Sequence, residues 1–295
     1  MTVPDVASLR DAYSAPHELV RASDGKTLFV RRWGVEEGSP ASLLILHGIT
    51  GYSGPYGQMM AEEFASGGYC VYGMDLRGHG LSDGRRGDYP SEDRLVKDLT
   101  ETAAFLKAKS KKLVVLGHSL GALSAIMIVK NSPKDVDGLV LISAAKKLRA
   151  GAYGKPKASA ALKTLMGVAL LRGSPLIEYR REGMTGVGDP LFNFRYSARF
   201  YSALYGVGAL GVSRMFRSGV LDSPHLDLDK PLGIPLLVGV GDHDELFPVE
   251  AAKEFCEGID CADKEFFVIQ GAKHASFPKG GWTPLLSWLD REFPK

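Results

Sequence analysis

A serine stands between two glycines in the pentapeptide Gly117-His-Ser-Leu-Gly121. The apolar run 113–116 precedes this pentapeptide, and the helix-like run 122–131 follows it. On a turn between a strand and a helix, such a serine sits with its hydroxyl exposed beside the unpaired N–H groups of the helix N-terminus. Those N–H groups could stabilise the oxyanion that develops during acyl transfer. The pattern therefore predicts that Ser119 is a nucleophile.

A serine hydroxyl becomes a good nucleophile only when a base accepts its proton and a carboxylate orients that base. Of the seven histidines in the chain, His274 alone follows the last predicted strand, so we expect it beside Ser119 at the carboxyl edge of the sheet. The loop after the preceding strand carries Asp242 and Asp244. Both side chains would project to the same side, so the spacing leaves both open as the orienting acid.

The elements that must position these residues alternate along the chain after a polar lead-in over residues 1–16. Apolar and β-branched runs predict strands over 17–22 and 26–33 (a hairpin), 41–46, 69–74, 113–116, 136–142, 234–240 and 265–269. Helical periodicity predicts helices over 58–66, 91–109, 122–131, 248–259 and 282–293. This alternation indicates an α/β fold whose central sheet is mostly parallel and carries helices on both faces.

The segment 146–230 interrupts this alternation. We assign residues 1–145 and 231–295 to the core and residues 146–230 to a helical cap. The cap is expected to cross the carboxyl edge of the strands. It includes an amphipathic piece over 158–171. Its aromatic side chains could line an acyl-sized pocket or pack the cap onto the core. The segment has 14 Lys and Arg against 6 Asp and Glu, so it could contact a lipid surface transiently.

Composition narrows the classes of partner. The net charge of +2 over 295 residues favours no polyanionic partner, and no block of Lys and Arg suggests an arm that binds nucleic acid. Three cysteines do not make a disulfide framework, and neither a signal peptide nor a membrane-length apolar run is evident. We therefore expect a cytoplasmic protein.

Six short motifs point to one group of proteins: Leu46-His-Gly48, Ser53-Gly-Pro-Tyr56, Asp75-Leu-Arg-Gly-His-Gly-Leu-Ser82, Gly117-His-Ser-Leu-Gly121, Gly241-Asp-His-Asp244 and Gly271-Ala-Lys-His274. With these motifs the chain resembles the α/β hydrolases, above all the monoacylglycerol lipase and lysophospholipase group, which shares motifs with serine aminopeptidase-like hydrolases. The resemblance implies the α/β-hydrolase fold, with Asp244 as the acid. It also implies an oxyanion hole made by the backbone N–H groups of Ile49 and Leu120.

Three positions depart from the monoacylglycerol lipases, which often have polar residues that grip glycerol where this chain has Gly51, Pro55 and Phe277. A site without such hydrogen-bonding groups discriminates weakly. We therefore predict a carboxylesterase that needs no cofactor or metal and cleaves small-molecule esters or lipids with an apolar acyl chain through an acyl-enzyme. The alternatives are an amidase or aminopeptidase, a carbon–carbon hydrolase or an acyltransferase with the same three residues, and a ligand receptor with little turnover.

Overall fold

The computed structural model describes residues 5–150, 152, 171–179, 184, 186–228 and 230–294. Eight strands form the main sheet: β1 (His17–Arg21), β2 (Thr27–Trp33), β3 (Ser42–Leu46), β4 (Cys70–Met74), β5 (Leu113–His118), β6 (Gly138–Ile142), β9 (Leu236–Gly241) and β10 (Lys264–Ile269). Between β6 and β9, two further short strands pair with each other: β7 (Ile177–Glu178) and β8 (Arg195–Tyr196).

The helices of the described residues are α1 (Val6–Asp11), α2 (Glu62–Ser66), α3 (Glu92–Lys107), α4 (Gly121–Asn131), α5 (Ala198–Tyr205), α6 (Ala209–Ser218), α7 (Val249–Gly258) and α8 (Thr283–Glu292). A π-helical turn, Gly57–Ala61, leads directly into α2. Short 3₁₀ turns occur at Pro133–Asp135 and Pro224–Leu226. Among the described helices, none is long and apolar enough to cross a bilayer.

The strand order of the main sheet is β1-β2-β4-β3-β5-β6-β9-β10. Pairing is antiparallel between β1 and β2 and between β2 and β4, and parallel across the rest of the sheet. The central strands β3, β4, β5 and β6 are buried along their whole length, as continuous apolar runs predict for strands covered on both faces. The carboxyl ends of β5, β9 and β10 therefore share one edge of the sheet.

Helices cover both faces of the main sheet. On one face α3, α4 and α7 pack Leu99, Ile126 and Phe255 into a common core, and on the other face α2 and α8 pack Phe64 and Trp288. Each predicted strand and helix of the core is present, with ends that differ by no more than two residues when the π-helical turn Gly57–Ala61 is counted with α2. The predicted α/β fold, with a mostly parallel sheet between two layers of helices, is confirmed.

Two segments differ from the sequence predictions. The polar lead-in contains the short helix α1, which begins after Asp5, whose carboxylate accepts a hydrogen bond from the backbone N–H of Ser8. The segment 146–230 contains α5 and α6, but also the β7–β8 pair, which the helical prediction omitted. The amphipathic piece predicted over 158–171 lies, apart from Leu171, outside the described residues. The division into core and cap stays a prediction.

Candidate active site

Ser119 lies on the turn between β5 and α4, at the carboxyl edge of the sheet. Its φ of 56° is in the left-handed region that residues other than glycine rarely adopt. The turn is closely packed, because a Cβ at Gly121 would lie 2.0 Å from the carbonyl oxygen of Leu46, and one at Gly117 would lie 2.4 Å from that of Gly121. Glycine is therefore required on both sides of Ser119, whose side chain stays partly exposed.

The structure brings His274 and Asp244 to this serine. His274 follows β10, and its Nε2 lies 3.0 Å from Ser119 Oγ. On the other side of the ring, Nδ1 lies 3.0 Å from Asp244 Oδ2 and 3.2 Å from Oδ1. Asp244, in the loop after β9, is 1% exposed and His274 is 6% exposed. Three residues that are far apart in the sequence thus form one continuous hydrogen-bonded line.

The Asp244 carboxylate is ionised at neutral pH although it is buried. Burial raises its pKa, but the hydrogen bond and the attraction from His274, together with the Phe247 backbone N–H, outweigh burial and lower the pKa to about 2. The N–H groups of Leu246 and Phe247 donate to Oδ1 at 2.8 and 2.9 Å. A negative Asp244 holds the proton of His274 on Nδ1, which leaves Nε2 free to accept the proton of Ser119.

Asp242 and Glu245, the neighbouring acids, do not contact the His274 ring. Asp242 Oδ1 accepts a hydrogen bond from the Nδ1 of His243 at 2.9 Å, at the surface. Glu245 instead accepts the backbone N–H of His274 through Oε2 at 2.9 Å. The carboxylate that faces the ring is that of Asp244, whereas Glu245 fixes the backbone that carries the ring.

Ile49 and Leu120 are the two residues whose backbone N–H groups the sequence resemblance assigns to the oxyanion. Both residues line the same cavity as Ser119, and neither N–H donates to a protein atom within the described part of the chain. The Ile49 N–H shares a peptide group with the carbonyl of Gly48. This carbonyl accepts a hydrogen bond from His47 Nδ1 at 2.8 Å, which holds the peptide group in place. Two N–H groups without a partner among the described residues, on residues that line one cavity with Ser119, are candidate donors to an oxyanion.

Part of the segment 146–230 is hydrogen-bonded directly to residues 47–50, the loop that follows β3 and contains Ile49. The hydroxyl of Tyr196 donates to the carbonyl of Ile49, and the N–H of Asn193 donates to the carbonyl of Thr50 at 3.0 Å. Tyr196 is completely buried. The sequence analysis considered the aromatic residues of this segment only as pocket lining or packing, and no local motif marks Tyr196 as a support for residues 47–50.

The cavity beside Ser119 is small and apolar. Its volume is about 30 Å³, and its walls include two tyrosines, Tyr179 and Tyr205, and otherwise mainly aliphatic or phenyl side chains: Leu123, Leu148, Leu221, Leu226, Leu246 and Phe247. A larger cavity of about 580 Å³ lies elsewhere, beside α1, and contains none of the three hydrogen-bonded residues. The apolar walls next to Ser119 fit an acyl chain rather than a polar group.

The three positions that depart from the monoacylglycerol lipases add no polar group to the cavity beside Ser119. Pro55 lines the larger cavity, and Phe277 packs against Trp282, with ring centroids 4.6 Å apart and the ring planes tilted by 44°. Gly51, without a side chain, lies outside the residues that line the cavity beside Ser119.

The main sheet has eight strands and is mostly parallel, with a serine on the turn after β5 and a histidine after β10. This arrangement defines the α/β-hydrolase fold. Residues 38–278 match the family described as serine aminopeptidase, S33, and the chain belongs to this family.

Individual relatives agree with the family match. The chain is 26% identical to a monoacylglycerol lipase of Mycolicibacterium smegmatis over 83% of this chain and 85% of that protein. It is 29% identical to the uncharacterized protein YnbC of Escherichia coli, over 62% of this chain but only 33% of YnbC. The crystal structure of a monoacylglycerol lipase from Paleococcus ferrophilus superposes with a TM-score of 0.62, at 25% identity, over 90% of this chain and 99% of that one.

These similarities confirm the predictions of an α/β-hydrolase fold and of a monoacylglycerol lipase-like member of it. They also confirm the prediction that the chain is an enzyme of the carboxylic ester hydrolase class.

Proposed function

We propose that the chain hydrolyses carboxylic esters with an apolar acyl chain, with Ser119 as the nucleophile, His274 as the general base and Asp244 as the orienting acid. The observation that carries the proposal is the 3.0 Å contact between Ser119 Oγ and His274 Nε2. This contact lies beside an apolar cavity lined by Ile49 and Leu120, whose backbone N–H groups donate to no protein atom among the described residues. A nucleophile, a base, an oxyanion hole and a site for the acyl chain are the components that acyl transfer requires.

The chemistry proceeds in two steps. Ser119 Oγ attacks the acyl carbon while His274 Nε2 accepts the hydroxyl proton, and the carbonyl oxygen, now negative, accepts hydrogen bonds from Ile49 and Leu120. The intermediate collapses as the C–O bond to the alcohol breaks, and the alcohol takes its proton from His274. Water then attacks the acyl-enzyme in the same way, which releases the acid and restores Ser119. Asp244 stabilises the imidazolium that forms in both steps.

The acyl and alcohol preferences follow from the cavity. The relative in Mycolicibacterium smegmatis is named a monoacylglycerol lipase, and the mainly apolar walls beside Ser119 suit the acyl part of such a substrate. Gly51, Pro55 and Phe277 offer no side-chain hydrogen bond to glycerol. We therefore propose a broader carboxylesterase, with residues 146–230 as a cap that shields the site from water.

We expect kcat/KM to depend strongly on the acyl chain of the ester and weakly on its alcohol. Each methylene buried in the cavity should raise kcat/KM by about fourfold. Because about 30 Å³ is only the volume of about one water molecule, we expect this gain from p-nitrophenyl acetate to the propionate and little further gain beyond the butyrate. The p-nitrophenyl monoester of succinic acid, whose carboxylate would lose its hydration, should react at least about 100-fold more slowly than the butyrate. Monobutyrin and ethyl butyrate should differ by no more than about tenfold.

The same assay distinguishes the other activities. Equal rates with butyrate and succinate esters would contradict an apolar acyl site, and a preference of more than about 100-fold for monobutyrin would indicate a glycerol-specific lipase. The family description favours aminopeptidase action as the second candidate. Amino-acid p-nitroanilides turned over faster than any ester in the series would establish that candidate instead.

A further inference from the structure

A chain of three hydrogen bonds, two of them buried and one partly buried, connects residues 47–50 to the loop of His274. The backbone N–H of Gly48 lies 2.8 Å from the hydroxyl oxygen of Tyr56, which lies 2.6 Å from His118 Nδ1. The other ring nitrogen of His118, Nε2, lies 2.8 Å from the carbonyl oxygen of His274. Tyr56 is 4% exposed and His118 is 3% exposed, so water competes little for the Tyr56 hydroxyl and the His118 ring.

The direction of each bond in this chain is fixed by its two ends. The His274 carbonyl can only accept, so His118 Nε2 must carry a proton. The Gly48 N–H can only donate, so the Tyr56 oxygen accepts there and its own proton is free to go to His118. Burial, then the repulsion that a protonated His274 would exert, lower the pKa of His118 to about 3, so the ring is neutral and its Nδ1 is an acceptor. One tautomer of one histidine therefore satisfies the whole chain.

Both ends of the chain are parts of the catalytic apparatus proposed above. At one end, the N–H of Gly48 donates to Tyr56, and the carbonyl of Gly48 accepts a hydrogen bond from His47. This carbonyl and the Ile49 N–H belong to the same peptide group. At the other end, His118 holds the carbonyl of His274, whose N–H is held by Glu245. His118 itself immediately precedes Ser119.

We infer that Tyr56 and His118 are positioning residues that fix the oxyanion donors and the general base relative to each other across the nucleophile. This inference rests on the proposed function. Neither side chain lines the cavity beside Ser119, so their effect is on geometry rather than on binding. A displacement of about 1 Å between reacting groups can lower the rate by about 100-fold. Loss of the hydrogen bonds that hold the oxyanion donors and the general base in place should therefore lower kcat.

The variant Tyr56→Phe tests the inference while it preserves the packing of the ring. It leaves the Gly48 N–H and His118 Nδ1 without partners, so we expect kcat to fall by about 30-fold and KM to change by less than about twofold. The matched control is Tyr72→Phe, because Tyr72 is also completely buried in the core but its hydroxyl donates to Glu36, away from the site. This control should lose a similar amount of thermal stability, because it also loses a hydroxyl hydrogen bond, and should retain its kcat.

A double-mutant cycle separates positioning from a merely structural role. His118→Phe keeps an aromatic ring but removes both the acceptor for Tyr56 and the donor to the His274 carbonyl, so we expect a loss in kcat similar to that of Tyr56→Phe. If both residues act in one chain, the double variant should lose about 30-fold rather than the about 1,000-fold that independent effects would give. Multiplicative losses, or a Tyr56→Phe enzyme with the parent kcat, would overturn the inference.

The reaction of a fluorophosphonate with the parent protein distinguishes failure of the inference from failure of the proposed function. A parent protein that hydrolyses esters but is not labelled would refute the proposed function itself. A parent protein that is labelled, together with a Tyr56→Phe variant labelled at the same rate, would refute only the positioning role. Slower labelling of Tyr56→Phe, with unchanged labelling of Tyr72→Phe, is the result that we expect.

Discussion

Ser119→Ala is expected to lower kcat for ester hydrolysis by at least about 10⁴-fold. The substitution removes one oxygen atom, and with it the only group at this position that can form the acyl-enzyme. The turn itself should keep its conformation, because the two flanking glycines, which allow its close packing, are unchanged. Alanine at position 119 has to adopt the same left-handed backbone conformation as serine. The measurement is steady-state hydrolysis of p-nitrophenyl butyrate, together with the thermal unfolding midpoint, which should change little.

Ser124→Ala is the matched control, in helix α4, which begins two residues after Ser119. Ser124 is completely buried, and its hydroxyl has no hydrogen-bond partner among the described residues. Removal of an unsatisfied buried hydroxyl is nearly neutral or stabilising, so this variant should keep both its kcat and its unfolding midpoint. An active Ser119→Ala enzyme would contradict the assignment of the nucleophile, whereas loss of activity in both variants would mean that helix α4, rather than one hydroxyl, is responsible.

Asp244→Asn is expected to lower kcat by about 10⁴-fold, the second largest effect. The amide oxygen can still accept the N–H groups of Leu246 and Phe247, so the loop should keep its conformation. The amide NH₂ would then face Nδ1 of His274 and donate to it, which moves the imidazole proton to Nε2. In that tautomer His274 cannot accept the proton of Ser119. The kcat for p-nitrophenyl butyrate, measured from acidic to alkaline pH, gives the size of the loss.

Asp242→Asn is the control for this substitution, and it also distinguishes the two acids that sequence spacing left open. Its carboxylate interacts with the exposed His243 at the surface rather than with His274. Exposed ion pairs contribute little, so we expect kcat within about twofold of the parent value. A large loss in Asp242→Asn with retained activity in Asp244→Asn would assign the acid to the other residue.

These two acids show where sequence patterns stop being informative. Asp242 and Asp244 are separated by two positions, and a period of two gives both the same direction in an extended loop. The chain turns immediately after β9 instead, because the carbonyl of Gly241 accepts the N–H of Asp244. Resemblance to a family selected Asp244, whereas local chemistry alone did not.

The core was predictable because its signals are local. Strands β3 to β6 are continuous apolar runs, and a strand, a Gly-x-Ser-x-Gly turn and a helix are adjacent in the sequence. Tyr56 and His118 are 62 residues apart, and His118 and His274 are 156 apart. Their contacts depend on how the finished sheet brings three loops to one edge, for which no short pattern exists. The same reason applies to Tyr196, whose hydroxyl supports Ile49 from the segment 146–230.

The central claim is that one serine hydroxyl, made reactive by His274, carries out the chemistry. The most direct test is to treat the parent protein with an alkyl fluorophosphonate, follow the loss of esterase activity, and locate the adduct by mass spectrometry of the proteolytic peptides. We predict one phosphonyl group per chain on Ser119, formed in parallel with the loss of activity. Complete inactivation with the adduct on another residue, or full activity in a protein that resists the reagent, would contradict the account.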